Sequence, residues 1–172
     1  WSPDGNLLVY YRQDPLSCEI RIMSVINPVE TWRLSPDSHL NYCQPGYAKQ
    51  KIQWPSEQDI FVTAWQDSTP YLQHLSLDIE KRPRVLTTKR YTNFRPVLFD
   101  IDNKQRLLVV EKIKDNYQLS FAHLGKQDKT QIEQSPTPYW GLTWHPNGDN
   151  YWVGNNQLRL KTLDGENVTV DM

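Results

Sequence analysis

Trp1-Ser2-Pro3-Asp4-Gly5 opens the chain, and degenerate copies begin at Trp54 (Trp-Pro-Ser-Glu-Gln), Phe99 (Phe-Asp-Ile-Asp-Asn) and Trp144 (Trp-His-Pro-Asn-Gly). The steps between copies are 53, 45 and 45 residues. A period in this range marks an array of one recurring supersecondary unit. The copies agree beyond the signature. After each aromatic comes a turn and then an apolar run: Leu7-Leu8-Val9-Tyr10-Tyr11, Ile60-Phe61-Val62, Leu107-Leu108-Val109-Val110 and Tyr151-Trp152-Val153. A second apolar segment follows at Ile20-Arg21-Ile22, at 71–77, at Leu119-Ser120-Phe121 and at Leu158-Arg159-Leu160. A short third segment closes each unit: Trp32-Arg33-Leu34, Val85-Leu86-Thr87, Thr130-Gln131-Ile132 and Val168-Thr169-Val170. From the signature aromatic to Leu34, Leu86 and Ile132 the offsets are 33, 32 and 33.

A further short segment precedes each later signature, at 49–53, 95–98 and 139–143, which makes four strands per unit. The first unit lacks its opening strand because the sequence begins at Trp1. Local chemistry supports strands. The segments are short, rich in Val, Ile, Leu, Tyr and Trp, and several alternate apolar with polar residues. Gly5, Gly148 and Gly165 can take positive φ, and the preceding Asp4, Asn147 and Asp164 tolerate it, as tight hairpins require. No window of 11 or more residues shows a clean helical period, and twelve prolines would break most helices that could be drawn. Four-stranded units at a period near 45 residues predict an all-β chain of propeller blades. The blades fall near 1–36, 47–88, 95–134 and 139–172, in a single domain or partial propeller.

Trp-Ser-Pro-Asp-Gly followed by an apolar strand, an Ile-Arg-Ile-Met strand and a closing Leu-Ser or Leu-Thr resembles the TolB-type β-propeller repeat. The same repeat occurs in propellers of prolyl oligopeptidase-like proteases and in periplasmic regions of CadC- or ToxR-like membrane-anchored transcription regulators. The first unit matches well and the fourth moderately, whereas the second and third keep the aromatic and the strand spacing. The family usually closes a ring of six or more blades. This chain has room for four, the first incomplete, so the expectation is a fragment of a larger propeller.

Apolar residues make up 38% of the 172, and mean hydropathy is −0.71. Seven Trp and nine Tyr must therefore carry much of the burial. The longest apolar run is five residues, too short to span a bilayer as a helix. With 19 basic and 20 acidic residues interspersed, the chain lacks the basic excess of a phosphate-binding protein. The one short basic cluster, Lys81-Arg82-Pro83-Arg84 with Lys89-Arg90 nearby, reads as solvated loop residues, and direct nucleic-acid binding by this segment is not expected.

On the blade plan, the loop between strands two and three shares an end of the propeller with the loop leading to the next blade. Cys18 falls in the first kind of loop, 12–18, and Cys43 in the second, 35–47. A bridge between them is therefore plausible in geometry. It would imply an oxidising compartment such as the periplasm, whereas two free thiols would imply nothing.

Catalytic motifs are missing from the sequence: there is no Gly-x-Ser-x-Gly, no His-Glu-x-x-His, no phosphate-binding glycine loop and no Cys-x-x-Cys. His39 falls in the long loop, His74 and His123 in third strands at matching repeat positions, and His145 in a signature turn. Blade packing accounts for these better than a metal does. Asp4, Asp102 and Asp149 sit at repeat turns, where capping is the ordinary role of an acid. No catalytic residue, metal site or cofactor is expected.

The interblade loops on the cysteine end hold aromatic and basic residues, the types that anchor protein interfaces. Tyr42, Tyr47, Lys89, Arg90 and Tyr91 are the candidate contacts; Tyr139 stands in the same loops, and Phe94 and Trp140 are set behind the five as residues that can start the next inner strand and pack between blades. The expected role is a non-catalytic, periplasmic sensory or interaction module that takes a protein partner or a small signal molecule. A second copy of the chain is a further expected partner, through the sheet edge left open before Trp1. The resemblance favours a CadC-like regulator as parent. A TolB-like envelope protein, or a propeller gating a serine protease, is the alternative.

Overall fold

Residues 1–14, 17–34, 42–43, 52–80, 82–126 and 128–168 are described by the structure, a computed structural model. Among them the chain forms strands and no helix, arranged as four antiparallel sheets. The first sheet is β1 (Leu7–Asp14), β2 (Ser17–Ser24) and β3 (Thr31–Arg33), and the second is β4 (Ile52–Ser56), β5 (Asp59–Gln66), β6 (Thr69–Asp78) and β7 (Arg84–Tyr91). The third is β8 (Pro96–Ile101), β9 (Arg106–Ile113), β10 (Asn116–His123) and β11 (Lys129–Ser135). The fourth is β12 (Gly141–Trp144), β13 (Asn150–Gly154) and β14 (Leu158–Thr162). Each sheet is a meander whose spatial order follows the sequence, as in a propeller blade. The sheets fall into two compact units, Trp1–Arg95 and Pro96–Met172.

Strand period fixes which residues meet. In the first unit Val9 pairs with Ile22 and Tyr11 with Ile20, so one face of the first blade is apolar. That face joins Ile60, Val62, Ala64, Leu75 and Leu77 of the second blade in one cluster with Trp54 and Tyr42. In the second unit Leu108, Val110 and Leu119 of the third blade pack with Tyr139, Leu142, Tyr151 and Val153 around the fourth. A fully buried side chain of this size contributes about 2 kcal/mol, so these clusters outweigh any single exposed ion pair.

The signature aromatics Trp54, Phe99 and Trp144 lie in β4, β8 and β12, the first strand of each later blade. The residue three positions on caps the turn in three copies. Asp4 accepts the N–H of Asn6 at 3.1 Å, Asp102 that of Lys104 at 3.0 Å, and Asn147 that of Asp149 at 3.1 Å. Asp149 is therefore a donor in the turn, and Asn147 takes the capping role expected of it. Gly5 and Gly148 follow at φ +76° and +75°, each donating its N–H back three residues. A non-glycine residue held there would be strained.

Two boundaries differ from the spacing argument. Strand β7 continues through Lys89 and Arg90 to Tyr91, because His74 and Leu72 of β6 are there to pair with Lys89 and Tyr91. In the last copy, Asn167 makes one antiparallel bridge to Lys161 and Val168 donates to the Leu160 carbonyl. Pairing thus begins where the closing strand was expected, and 169–172 lie outside the described residues.

Candidate interaction surface

Cys18 and Cys43 form a disulfide, with Cα atoms 5.6 Å apart. Cys18 stands on β2 opposite Gln13, one residue inside the strand rather than in the hairpin loop. Cys43 and its neighbour Tyr42 are buried, and Tyr42 belongs to the cluster between the first two blades. Tyr42 is 1% exposed, so its side chain packs in that cluster instead of offering a contact. Tyr47 and His39 lie outside the described residues.

The remaining candidates, Lys89, Arg90 and Tyr91, sit at the end of a strand, not on a loop, and strand alternation divides them. Lys89 stands opposite His74, and its ammonium lies 4.8 Å from the Tyr91 ring centre. His74 stacks on Phe61 with ring centres 4.6 Å apart, and its Nε2 lies 2.6 Å from Asp59 Oδ1. Burial, with the Asp59 charge second, pushes the Tyr91 phenol above its ordinary pKa. Arg90 points to the other face. There its guanidinium covers the Tyr71 ring at 5.3 Å and donates to Gln66 Oε1 at 2.7 Å. Each cation is thus set against an aromatic ring, which restrains a long side chain at small electrostatic gain.

Ser56 Oγ donates to Asp59 Oδ2 at 2.6 Å, which brings a serine, a carboxylate and a histidine together. Their order is wrong for nucleophilic catalysis. Asp59 stands in the middle and accepts from both partners, whereas an activated serine needs the imidazole as its immediate neighbour. The trio ties β4, β5 and β6 together. Among the described residues no three His, Cys, Asp or Glu side chains cluster as metal ligands would.

In the second unit Tyr139 is buried, whereas Trp140, a candidate for packing between blades, is half exposed. Tyr139 donates to Glu133 Oε1 at 2.9 Å. Trp140 is 51% exposed, with its ring laid on Gly154, where an added Cβ would come within 2.6 Å of Cζ2. Its Nε1 donates to the Asn155 carbonyl. Glycines meet at this spot, since Gly141 pairs with Gly154 across β12 and β13. Phe94, in the first unit, is buried.

Sequence reasoning missed a second constellation. Glu133 of β11 receives Arg159 Nη2 at 3.0 Å and Lys161 Nζ, both from β14. Burial acts to raise the Glu133 pKa, but hydrogen bonds from Lys161 and Tyr139, with the charges of Lys161 and Arg159, bring it below the ordinary value. The Leu-Arg-Leu-Lys alternation of β14 was the available signal, because it places two cations on one face of a strand. A third contact joins the signature turns. Arg106 pairs with Asp102 at 2.6 Å, donates to the Gly148 carbonyl at 2.6 Å and lies 4.7 Å from the Trp144 ring, while Asp100 accepts the Trp144 N–H at 2.7 Å.

Four meandering antiparallel sheets with a repeated first-strand aromatic define a β-propeller segment. Comparison with solved structures agrees. TolB from Acinetobacter baumannii matches with a TM-score of 0.72 at 15% identity, over 97% of this chain and 40% of that one. Prolyl oligopeptidase B from Galerina marginata, bound to a 35mer hydrolysis and macrocyclization substrate, matches with a TM-score of 0.63 at 12% identity. That match covers 98% of this chain and 26% of the oligopeptidase. The chain thus has a TolB-like β-propeller fold and spans less than half the length of either protein. No family model and no curated protein matches the sequence.

Proposed function

We propose that this segment is a non-catalytic propeller module that binds a protein partner in an oxidising, extracytoplasmic compartment. The carrying observation is the end of β7, where Lys89, Arg90 and Tyr91 present restrained cationic and aromatic groups on a rigid four-stranded sheet. The Cys18–Cys43 bridge supports the compartment, since such bonds persist where thiols are not kept reduced. The parent that fits best is a membrane-anchored CadC-like regulator, with this segment as its sensory part. The likeness to TolB favours an envelope protein as the second reading, and the oligopeptidase match keeps a substrate-gating propeller as the third.

Replacing Lys89, Arg90 and Tyr91 together by alanine tests the role. Partner binding or signalling should weaken by about 1 kcal/mol or more for each residue that is a true hot spot. Thermal unfolding should shift little at exposed Lys89 and Arg90, where substitutions usually change stability by about 0.5 kcal/mol or less, and somewhat more at half-buried Tyr91. Wild-type signalling by a folded triple variant would remove the β7 site. The coding sequence flanking the segment separates the parents: a winged helix and one hydrophobic span mark the regulator, a Gly-x-Ser-x-Gly hydrolase the protease.

A further inference from the structure

Six of the chain's 19 basic residues and none of its 20 acidic ones fall between 81 and 95. Strand β7 runs through the middle of this stretch and is the last strand of its sheet. Six of its eight residues are exposed, and the exposure includes both faces. The contrast with β5 of the same sheet is sharp, since six of that strand's eight residues are buried. A β-bulge interrupts the β6–β7 ladder where Ser76 and Leu77 meet Thr87 and Val85, so that Leu86 is extra and stands 55% exposed. Beyond the bulge, Thr87 to Tyr91 pair in unbroken register with β6.

An edge strand presents one row of backbone donors and acceptors that its own sheet does not use, and an extended chain can take them up. Proteins usually blunt such edges against their own copies with charged side chains, bulges, proline or very short strands. Here β7 has eight residues, no proline and a bulge only at its start. Arg84 is paired with Asp78 at 2.9 Å, and Lys89 and Arg90 are exposed further along the strand. They repel a second copy of this edge and attract the opposite charge. Deepening the partner-binding reading above, on which it rests, we infer that β7 from Thr87 to Tyr91 adds an extended acidic segment of a partner protein as a further strand. Acidic side chains at alternate positions of that segment share one face and would meet Lys89 or Arg90 according to register, and Leu86 would supply an apolar contact at the bulge. A nucleic acid would satisfy the charge but has no backbone to continue a β-ladder.

The test uses a fluorescent Glu-Val-Glu-Thr-Glu-Val peptide, the same peptide N-methylated at alternate residues in each of the two phases, and a single-stranded oligothymidine. Anisotropy measures binding, and amide hydrogen exchange maps it. The parent peptide should bind and slow exchange within Thr87 to Tyr91, and one N-methylated phase should lose binding. A K89E/R90E double variant with unchanged unfolding should bind at least about tenfold more weakly. Equal binding of parent and both methylated peptides would reduce the effect to charge attraction and overturn strand addition. No binding by the parent peptide, or oligothymidine protecting the same amides more strongly, would also overturn it. Loss of signalling in the triple alanine variant without peptide binding would keep the β7 contact and discard only the added strand. Peptide binding with intact signalling would do the reverse.

Discussion

The two units solve one problem by different chemistry. In each, two twisted sheets must be held face to face, and each has an apolar cluster for the purpose. The first unit adds a covalent bond from β2 to the chain between β3 and β4. The second adds charge: Glu133 of one blade held by Arg159 and Lys161 of the next, and Arg106 joining two signature turns. A disulfide acts largely by restricting the unfolded chain and responds to redox potential. A half-buried ion cluster acts in the folded state and responds to pH. The units should therefore fail under different conditions, although one repeat built both.

The largest effect should come from the covalent joint. Reducing the Cys18–Cys43 bond, or replacing both cysteines by serine, should cost about 3 kcal/mol for a loop of this length. Urea unfolding with and without reductant measures the loss. Hydrogen exchange should report it in β1 and β2 while β9 and β10 keep their protection. Equal loss of protection in both units would break the comparison.

The ionic joint comes next. Glu133→Ala leaves Lys161, 7% exposed, and Arg159 without their carboxylate, and should cost about 2–3 kcal/mol, less than a fully buried pair because water reaches part of the cluster. Because the Glu133 pKa is lowered on folding, its contribution is complete above the ordinary glutamate value of about 4.3. It fades as pH falls through the lower folded value. Acid titration of the wild type and of Glu133→Gln should show this slope only in the wild type. The disulfide contributes no such slope.

The signature turns permit a finer comparison. An alanine at Gly5 would meet open space and cost about 1 kcal/mol for its positive φ alone. At Gly148 the new Cβ would also come within 2.9 Å of Arg106 Nη2, the group that joins the two turns. Gly148→Ala should therefore cost roughly twice as much as Gly5→Ala. Equal losses would mean that Arg106 moves aside freely and joins nothing.

How far the sequence could be read follows the same division. Repeat spacing carried the blades, the strand of each signature aromatic and the cysteine pairing, because a recurring unit places its loops at recurring ends. Lys89 and Arg90 were misplaced onto a loop because the strand pattern weakens where β7 becomes exposed on both faces, leaving no alternation to follow. Tyr42 reads like a loop contact until the disulfide draws it into the core beside Cys43. The Glu133 cluster joins residues 26 and 28 positions apart, and their conjunction depends on the packing of two sheets. Periodicity locates strands; it does not say which charged faces will meet.

A further comparison separates two tyrosines of the second unit. Tyr139 and Tyr151 are both buried, and burial raises both phenol pKa values, with Glu133 as the next contributor in each. The Tyr139 hydroxyl donates to Glu133, whereas the Tyr151 hydroxyl is buried with no hydrogen-bond partner. Tyr139→Phe removes a bond to a charged acceptor and should destabilise by about 1.5 kcal/mol. Tyr151→Phe removes a desolvated group that gains nothing from folding, while the ring keeps its edge contact with Trp144 at 6.5 Å. That change should be neutral or stabilising by up to about 1 kcal/mol. Thermal unfolding of the two single variants and the double variant decides the matter. A loss at Tyr151→Phe equal to that at Tyr139→Phe would mean that ordered water or motion supplies the Tyr151 hydroxyl with a partner, and that the ionic joint extends further into the core than Glu133.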